Sequence, residues 1–290
     1  EVLLMDPRGM QPELSSQSVQ VEVKNAGAAV IDTVQVEWTV DGAIQPVLML
    51  ESADLQPGET ARWTLGELTL SEGMHDLEAV VHALGDANWP EDVVQTQVAV
   101  NVFFEGFEEH EGVPDGWQMA FGIREGINFD TPYEGDWYYT SMPDVNFFGE
   151  VTDTLWTSPL EVSAGDELSF FMKRNAFLPT MNHVIRKDYA TGEITVVGYL
   201  TTTPDAWTEI VLPLDAATGV GYFGIVSAVE DFPGSTRFDQ FSSTAKPFWP
   251  QRDLEIVDEE PAFLVPSGQP WQPHFTLRNR GLTAVAADEY

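Results

Sequence analysis

Residues 103–117 read Phe103-Phe-Glu-Gly-Phe-Glu-Glu-His-Glu-Gly-Val-Pro-Asp-Gly-Trp117. The opening of this stretch alternates, with Phe103, Glu105 and Phe107 on one side and Phe104, Gly106 and Glu108 on the other, which is the period of a strand. A Pro-Asp-Gly turn then delivers Trp117, a side chain large enough to anchor a core. The stretch therefore divides the chain. Residues 1–101 precede it as one small β domain, and residues 102–249 begin with it as a second, larger one.

Upstream, Ser18-Val-Gln-Val-Glu-Val-Lys24 places Val19, Val21 and Val23 on one face, and Asn25-Ala-Gly27 turns the chain. Val34, Val36 and Trp38 alternate in the next segment, which ends on the Asp41-Gly42 turn signal. Further short strands are expected at 46–50, 61–65, 73–82 and 93–102. The third of these segments puts His75, Leu77, Ala79 and Val81 on one face. About seven short strands in about 100 residues, broken by Gly, Pro and Asp turns, predict a two-sheet Ig-like sandwich. No helical periodicity competes.

Downstream, strands are expected at 101–107, 135–140, 154–157, 167–173, 183–187, 194–199, 207–212, 221–229 and 235–242. Residues 120–132 read as a surface loop, Asp188-Tyr-Ala-Thr-Gly192 as a hairpin turn, and Lys246-Pro-Phe-Trp-Pro250 as a stiff linker. A helix-free set of this size predicts a jelly roll. Beyond it, an offset of 254 lays Glu255-Ile-Val on Glu1-Val-Leu, Phe275 and Leu277 on Val21 and Val23, and Asn279-Arg-Gly281 on Asn25-Ala-Gly27. Residues 250–290 thus read as an incomplete second Ig-like repeat. The fold class expected is all-β: an Ig-like sandwich, a larger jelly roll and a partial second Ig-like module. Such an arrangement implies a longer chain of alternating modules, or pairing of the terminal strands elsewhere, self-association included.

Composition bounds the function. The formal net charge of the 290 residues is −34, from 47 acidic and 13 basic side chains. Acidic residues outnumber basic ones 17 to 3 over 1–100, 23 to 7 over 101–250 and 7 to 3 over 251–290, so the charge is a diffuse surface property rather than one binding block. A saline habitat, general solubility and divalent-cation binding all fit it. Nucleic acid is excluded as a partner for want of a basic stripe. With no cysteine, disulfides, thiolate metal sites and cysteine nucleophiles drop out. No run approaches the ~20 apolar residues of a membrane span, so no membrane insertion is expected. The opening Glu1-Val-Leu-Leu-Met5 reads as a strand at a processed or cut boundary rather than as a signal peptide.

Two resemblances follow from quoted residues. Val19 to Gly27, Pro57-Gly58 and the acidic hairpin Gly85-Asp-Ala-Asn-Trp-Pro-Glu-Asp92 resemble CARDB-type Ig-like bacterial adhesion modules, though the usual Asn-rich ending is missing. Glu105-Gly-Phe-Glu108, Val113-Pro-Asp-Gly-Trp117, Ser158-Pro159 and Arg237-Phe-Asp-Gln-Phe241 resemble the MAM-like jelly rolls of cleaved-adhesin and choice-of-anchor domains. Such modules accompany secreted peptidases, glycosidases and surface adhesins, which implies an extracellular or cell-surface location.

That second resemblance also implies that the first and last jelly-roll strands lie side by side, bringing Glu105 near Asp239. Calcium takes six to eight oxygen ligands at about 2.3–2.6 Å, and carboxylates with backbone carbonyls would supply them. Glu105 and Asp239 are the leading candidates for a structural calcium site, with Glu108 and Asp136 as further ligands. The bland alternative is a set of solvated carboxylates on an acidic surface. Asp86, Asn88, Glu91 and Asp92 crowd one loop without the EF-hand spacing. Trp137, Tyr138, Tyr139, Phe147, Phe148 and Trp156 offer rings for a sugar platform, although alternation buries most of them. His75, His82, His110, His183 and His274 do not gather, and no Gly-x-Ser-x-Gly elbow or His-Glu-x-x-His occurs. Carboxylate pairs for glycoside hydrolysis follow no spacing rule. The function expected is a non-catalytic structural or adhesion segment. The alternative is a carbohydrate- or protein-binding accessory region of a secreted hydrolase. Its partners would be neighbouring modules and a surface glycan or protein.

Overall fold

The computed structural model describes the chain except residues 1, 8, 13–15, 84–91, 109–113, 115, 120–121, 127–129, 142–151, 176–180, 201–203, 229–234, 251–253, 261–273 and 280–290. For residues 2–4, 175, 181, 254–260 and 274–279 the description is of backbone only. The fold is all-β, with two compact units, Glu1–Pro247 and Phe248–Tyr290.

The first sandwich comprises β1 (Val2–Asp6), β2 (Gly9–Gln11), β3 (Gln17–Lys24), β4 (Val34–Val40), β5 (Ala43–Ile44), β6 (Leu48–Leu50), β7 (Thr60–Leu68), β8 (Gly73–Ala83) and β9 (Val93–Val100). One sheet runs β1-β3-β7; the other runs β2-β9-β8-β4-β5, with β6 also beside β4. Alternation decides what is inside. Val19, Val21 and Val23 pack against Val34, Val36, Trp38, Leu77, Ala79 and Val81, all buried. Between β4 and β5, Asp41 (φ 51°) and Gly42 (φ 74°) both take the left-handed conformation that a two-residue hairpin requires.

Asn25 joins the turns of this sandwich. Almost fully buried, it donates from Nδ2 to the carbonyls of Ala29 (2.8 Å) and Leu55 (2.9 Å) and accepts at Oδ1 from Gly27 N–H (2.9 Å). Asn25→Ala would strand two carbonyls and one N–H. It is expected to lower stability by about 2–3 kcal/mol, read as a reduced urea midpoint with an unchanged slope.

The second sandwich begins with β10 (Phe103–Glu105), β11 (Gln118–Met119), β12 (Ile123–Gly126) and β13 (Trp137–Ser141). It continues through β14 (Thr152–Trp156), β15 (Leu160–Val162), β16 (Glu167–Asn175), β17 (Met181–Asp188), β18 (Ile194–Leu200) and β19 (Thr208–Pro213). After a 3₁₀ turn at Asp215–Ala217, β20 (Gly219–Ala228), β21 (Ser235–Ser243) and β22 (Lys246–Pro247) complete it. One sheet is ordered β12-β13-β21-β16-β19, with β10 also on β21. The other is β11-β14-β20-β15-β22, with β17 on β20 and β18 outside β17. Between them lies an aromatic core in which Trp117 meets Phe241 edge-on at 5.1 Å and stacks on Phe103 at 5.9 Å.

The segments read as a surface loop and as a linker are in part strands. Within the expected loop 120–132, Ile123–Gly126 is strand β12, paired with β13. A four-residue edge strand carrying Arg and Glu is too short to display alternation. The first half of the expected linker is strand β22. Lys246 and Pro247 pair with Glu161 and Leu160, Pro247 is buried, and Lys246 Nζ donates to Glu72 (2.9 Å). Pro is tolerated there because the sheet ends at that strand.

The two sandwiches meet through β2. Met10 packs against the aromatic core, Asn101 N–H donates to Gln11 O (2.8 Å), and Asn101 Nδ2 donates to Glu72 (2.8 Å).

In the second unit, β23 (Leu254–Glu260) and β24 (His274–Asn279) are antiparallel. Their register matches that of β1 and β3 at the 254 offset, pair for pair. Val2↔Val23 corresponds to Ile256↔Leu277, Leu4↔Glu22 to Asp258↔Thr276, Met5↔Val21 to Glu259↔Phe275, and Asp6↔Gln20 to Glu260↔His274. The irregularity also recurs, between Val2 and Leu4 and between Ile256 and Asp258.

Candidate functional site

The antiparallel pairing of β10 with β21 sets Glu105 opposite Phe241, so Asp239 lies just beyond the end of β10. Phe107 (φ 61°) and Gln240 (φ 45°), both in the left-handed region, redirect the two chains there. Asp239 is fully buried. Its Oδ2 accepts from the N–H groups of Tyr133 (2.9 Å) and Glu134 (3.3 Å), and its Oδ1 from Gln240 N–H (2.8 Å). The same loop is held by the Tyr133 ring, stacked on Phe171 with centroids 3.4 Å apart. Glu105, also buried, accepts at Oε1 from Phe107 N–H (2.7 Å).

Glu108 closes the cluster, accepting from Asp136 N–H at Oε2 (2.9 Å) and from Trp137 N–H at Oε1 (3.0 Å). Gly135 is required just before those donors. Its φ is +66°, and a Cβ there would fall 2.3 Å from Glu108 Cδ. Arg124 donates to the carbonyls of Phe107 (2.6 Å) and Glu108 (2.8 Å) and lies 4.0 Å over the Trp137 ring.

Burial pushes the Asp239 carboxyl up to about 7; its three N–H donors pull the other way, and the nearby Glu108 charge adds to the rise. Glu108 is likewise raised, chiefly by burial. The carboxylates Glu105, Glu108, Asp136 and Asp239 line one cleft of about 1000 Å³, together with Glu134 and, from the first sandwich, Asp76 and Glu78. Among the described residues that line it there is no lysine, arginine or histidine. Gln95 and Gln97 donate to Glu78 and Asp76 (2.5 and 3.1 Å), which leaves the wall rich in acceptors. Among the described residues no three Asp, Glu, His or Cys side chains converge as a ready-made metal site. The donor chemistry nevertheless fits calcium in kind: all oxygen, anionic and partly desolvated. Backbone carbonyls and water would have to complete the shell.

A second arrangement lies on the outer face of the sheet that ends in β18. Strand register sets its side chains in rows. Thr154, Val226, His183 and Tyr199 form one, and Trp156, Gly224, Ile185 and Val196 the next. Tyr222, Lys187 and Ile194 form the third. Their neighbours Leu155, Val184, Phe223 and Ile225 fill the core, so the rows face outward. Gly224 makes the surface flat: a Cβ there would lie 2.8 Å from the Trp156 ring and 3.0 Å from Ile185, so the indole lies across the β20 backbone. Tyr199 is 73% exposed, Ile194 56% and Val196 51%. Tyr222 stacks with Tyr189 at 5.8 Å and has Lys187 Nζ 5.9 Å from its centroid, and His183 lies 5.9 Å from Tyr199. In a chain with 47 carboxylates, none stands in these rows. Glu161, Asp188 and Glu193 occupy the margins.

The rings expected to form a sugar platform are dispersed. Tyr138 and Tyr139 are fully buried, Trp137 is 38% exposed with Arg124 over one face of its ring, and Trp156 alone reaches the outer face just described. Phe147 and Phe148 lie outside the described residues, as do Asp86, Asn88 and Glu91 of the acidic hairpin and His110. His75 bonds Asp41 (2.8 Å) and the Ser71 carbonyl (2.9 Å). The outer face escaped sequence reading because Tyr199, Tyr222, Trp156 and Lys187 come from separate strands. The alternation of Ile194 and Val196 was its single local signal.

No family model matches the chain, and no curated protein matches it. Solved structures do. The K1 cleaved adhesin domain of Lys-gingipain from Porphyromonas gingivalis is 16% identical, with 50% of this chain and 98% of that chain covered at a TM-score of 0.40. The CBM22-1 xylan-binding domain of Paenibacillus barcinonensis Xyn10C is 14% identical over 50% and 94%, TM-score 0.38. A Pyrococcus furiosus CARDB domain, determined in complex with two metal ions, is 21% identical over 33% and 83%, TM-score 0.29.

Proposed function

We propose that this chain is a non-catalytic adhesion or accessory segment of a secreted or cell-surface protein, in which a CARDB-like sandwich alternates with a MAM-like jelly roll. Its working surface is the outer face of β14, β20, β17 and β18, and its ligand a glycan. The observation that carries this reading is the flat, carboxylate-free face with Tyr199, Trp156 and Tyr222 on an otherwise acidic molecule. Pyranose rings present C–H faces that stack on exposed aromatic and aliphatic surface. Tyrosine hydroxyls, His183 and Lys187 supply the hydrogen-bonding margin.

The carboxylate cluster takes a different part. A calcium ion held by Asp239, Glu105, Glu108 and Asp136, with backbone oxygens, would neutralise the buried charge. It would fix loop 130–137 and hold the mouth of the cleft between the sandwiches. Binding of that kind stabilises the fold rather than catalysing a reaction.

Screening the purified chain on a glycan array, followed by calorimetry, tests the glycan reading. Tyr199→Ala is expected to weaken the best ligand about tenfold or more, a loss of about 1.4 kcal/mol, without moving the thermal midpoint. An array with no saturable ligand, or an affinity that Tyr199→Ala leaves unchanged, would remove the face as the binding surface.

A further inference from the structure

From the same face, and resting on its reading as a glycan surface, we infer the class of ligand: a neutral, extended polysaccharide bound along β17, several sugar units at a time. β17 runs through the middle of the face, between β20 and β18. His183, Ile185 and Lys187 project from it, and four residues of strand separate the first from the last, a track of about 13–14 Å. An aromatic ring marks each end, Tyr199 beside His183 and Tyr222 beside Lys187. Between them stand Ile185, itself buried beside the Trp156 indole that Gly224 admits, and the exposed Val196. A single terminal sugar would cover one end only. A chain lying along the strand covers both.

Neutrality follows from charge. The molecule carries −34 overall, and Glu161, Asp188 and Glu193 stand at the margins of the face. A polyanionic glycan would be repelled there, with Lys187 its one fixed counter-charge on the rows, and screening acts over about 8 Å at physiological ionic strength. An amino-sugar polymer would meet no carboxylate within the rows, and its cationic groups are matched instead by the acidic cleft. A neutral chain feels neither effect.

The test is calorimetry on the full chain with neutral xylo-, cello-, manno- and galacto-oligosaccharides, disaccharide to hexasaccharide, beside oligogalacturonates and deacetylated chito-oligosaccharides. The expected result is a neutral series whose affinity rises with length and then levels off, and which is unchanged between low and high salt. Tyr199→Ala and Tyr222→Ala should each cost the long ligands about tenfold, while the disaccharide responds to one of them only. A charged series binding more tightly than every neutral one, or an affinity already maximal at the disaccharide, would overturn the inference and leave the glycan reading intact. Failure of all the oligosaccharides to bind would overturn the glycan reading itself.

Discussion

Gly122→Ala is expected to cost about 3 kcal/mol or more of stability, enough to leave a large unfolded fraction at physiological temperature. An alanine Cβ at this position would lie 1.8 Å from the hydroxyl oxygen of Tyr139 and 2.0 Å from its ring carbon. Tyr139 has nowhere to go. Its side chain is fully buried, its ring sits 6.1 Å from Phe107 and 6.3 Å from Phe238, and its hydroxyl donates to Asp153 Oδ2 (2.9 Å). Burial and the Asp153 charge hold the phenol far above its usual range, so it remains a donor at every accessible pH. Relieving the clash must therefore break a buried hydrogen bond to a buried carboxylate as well as shift a packed ring. Chemical denaturation reads the effect, and a wild-type midpoint would show that the chain near Gly122 yields instead.

The second large effect concerns pH and calcium together. Asp239 titrates near 7 in the folded protein, against about 3.9 for an unfolded aspartate. Between those values the folded state holds a proton that the unfolded state has released. Stability contributed by this group is therefore present at the acid end of the window and lost as pH rises, at about 1.4 kcal/mol per pH unit. Glu108, also raised, acts in the same direction. In chelator, the free energy of unfolding should fall between about pH 4 and about pH 7, and Asp239→Asn should flatten that fall. On the proposed function, saturating calcium would bind the ionised carboxylates, lower their pKa and abolish the slope, raising the melting temperature most at the alkaline end. A flat profile in chelator would mean that the cluster is better solvated than its burial implies. A slope that calcium leaves untouched would remove the cation from the proposed function and retain the buried acids.

How far the site was legible depends on how local its parts are. Glu105 and Glu108 fall in the stretch that opens the second sandwich, and Asp239 in the alternating run that closes it, so sequence and resemblance together pointed to this cluster. What no reading of the chain supplied is that Asp239 and Glu108 are held by backbone N–H groups of residues 133–137, and that Gly135 is indispensable for Glu108 to accept two of them. Nor did sequence disclose that Asp76 and Glu78 of the first sandwich share the cleft. Those are encounters across about 30 to about 160 residues of chain, set by how sheets stack.

The strands themselves were a different matter. Val19, Val21 and Val23, or Phe103, Glu105 and Phe107, declare a strand because side chains alternate between faces every residue, and burial of one face is a local property of the pattern. The Asp41-Gly42 turn was equally readable, since it needs two left-handed residues and few residue types adopt them. Strands as short as β12 and β22 carried no such period, and only pairing with a neighbour made them strands. The 254-residue repeat lies between these cases. Matching residues suggested it, and the shared register and irregularity of β1/β3 and β23/β24 give it a structural counterpart.

From its residues alone, then, the chain determined its class, its series of alternating strands, its diffuse negative charge and the carboxylates flanking the junction. Tertiary structure alone decided which strands became neighbours, and with that the outer face on which Trp156, His183, Lys187, Tyr199 and Tyr222 assemble. The reason is physical: alternation is dictated by the geometry of each strand, whereas a surface is a property of strand order, and strand order is chosen by the packing of whole sheets.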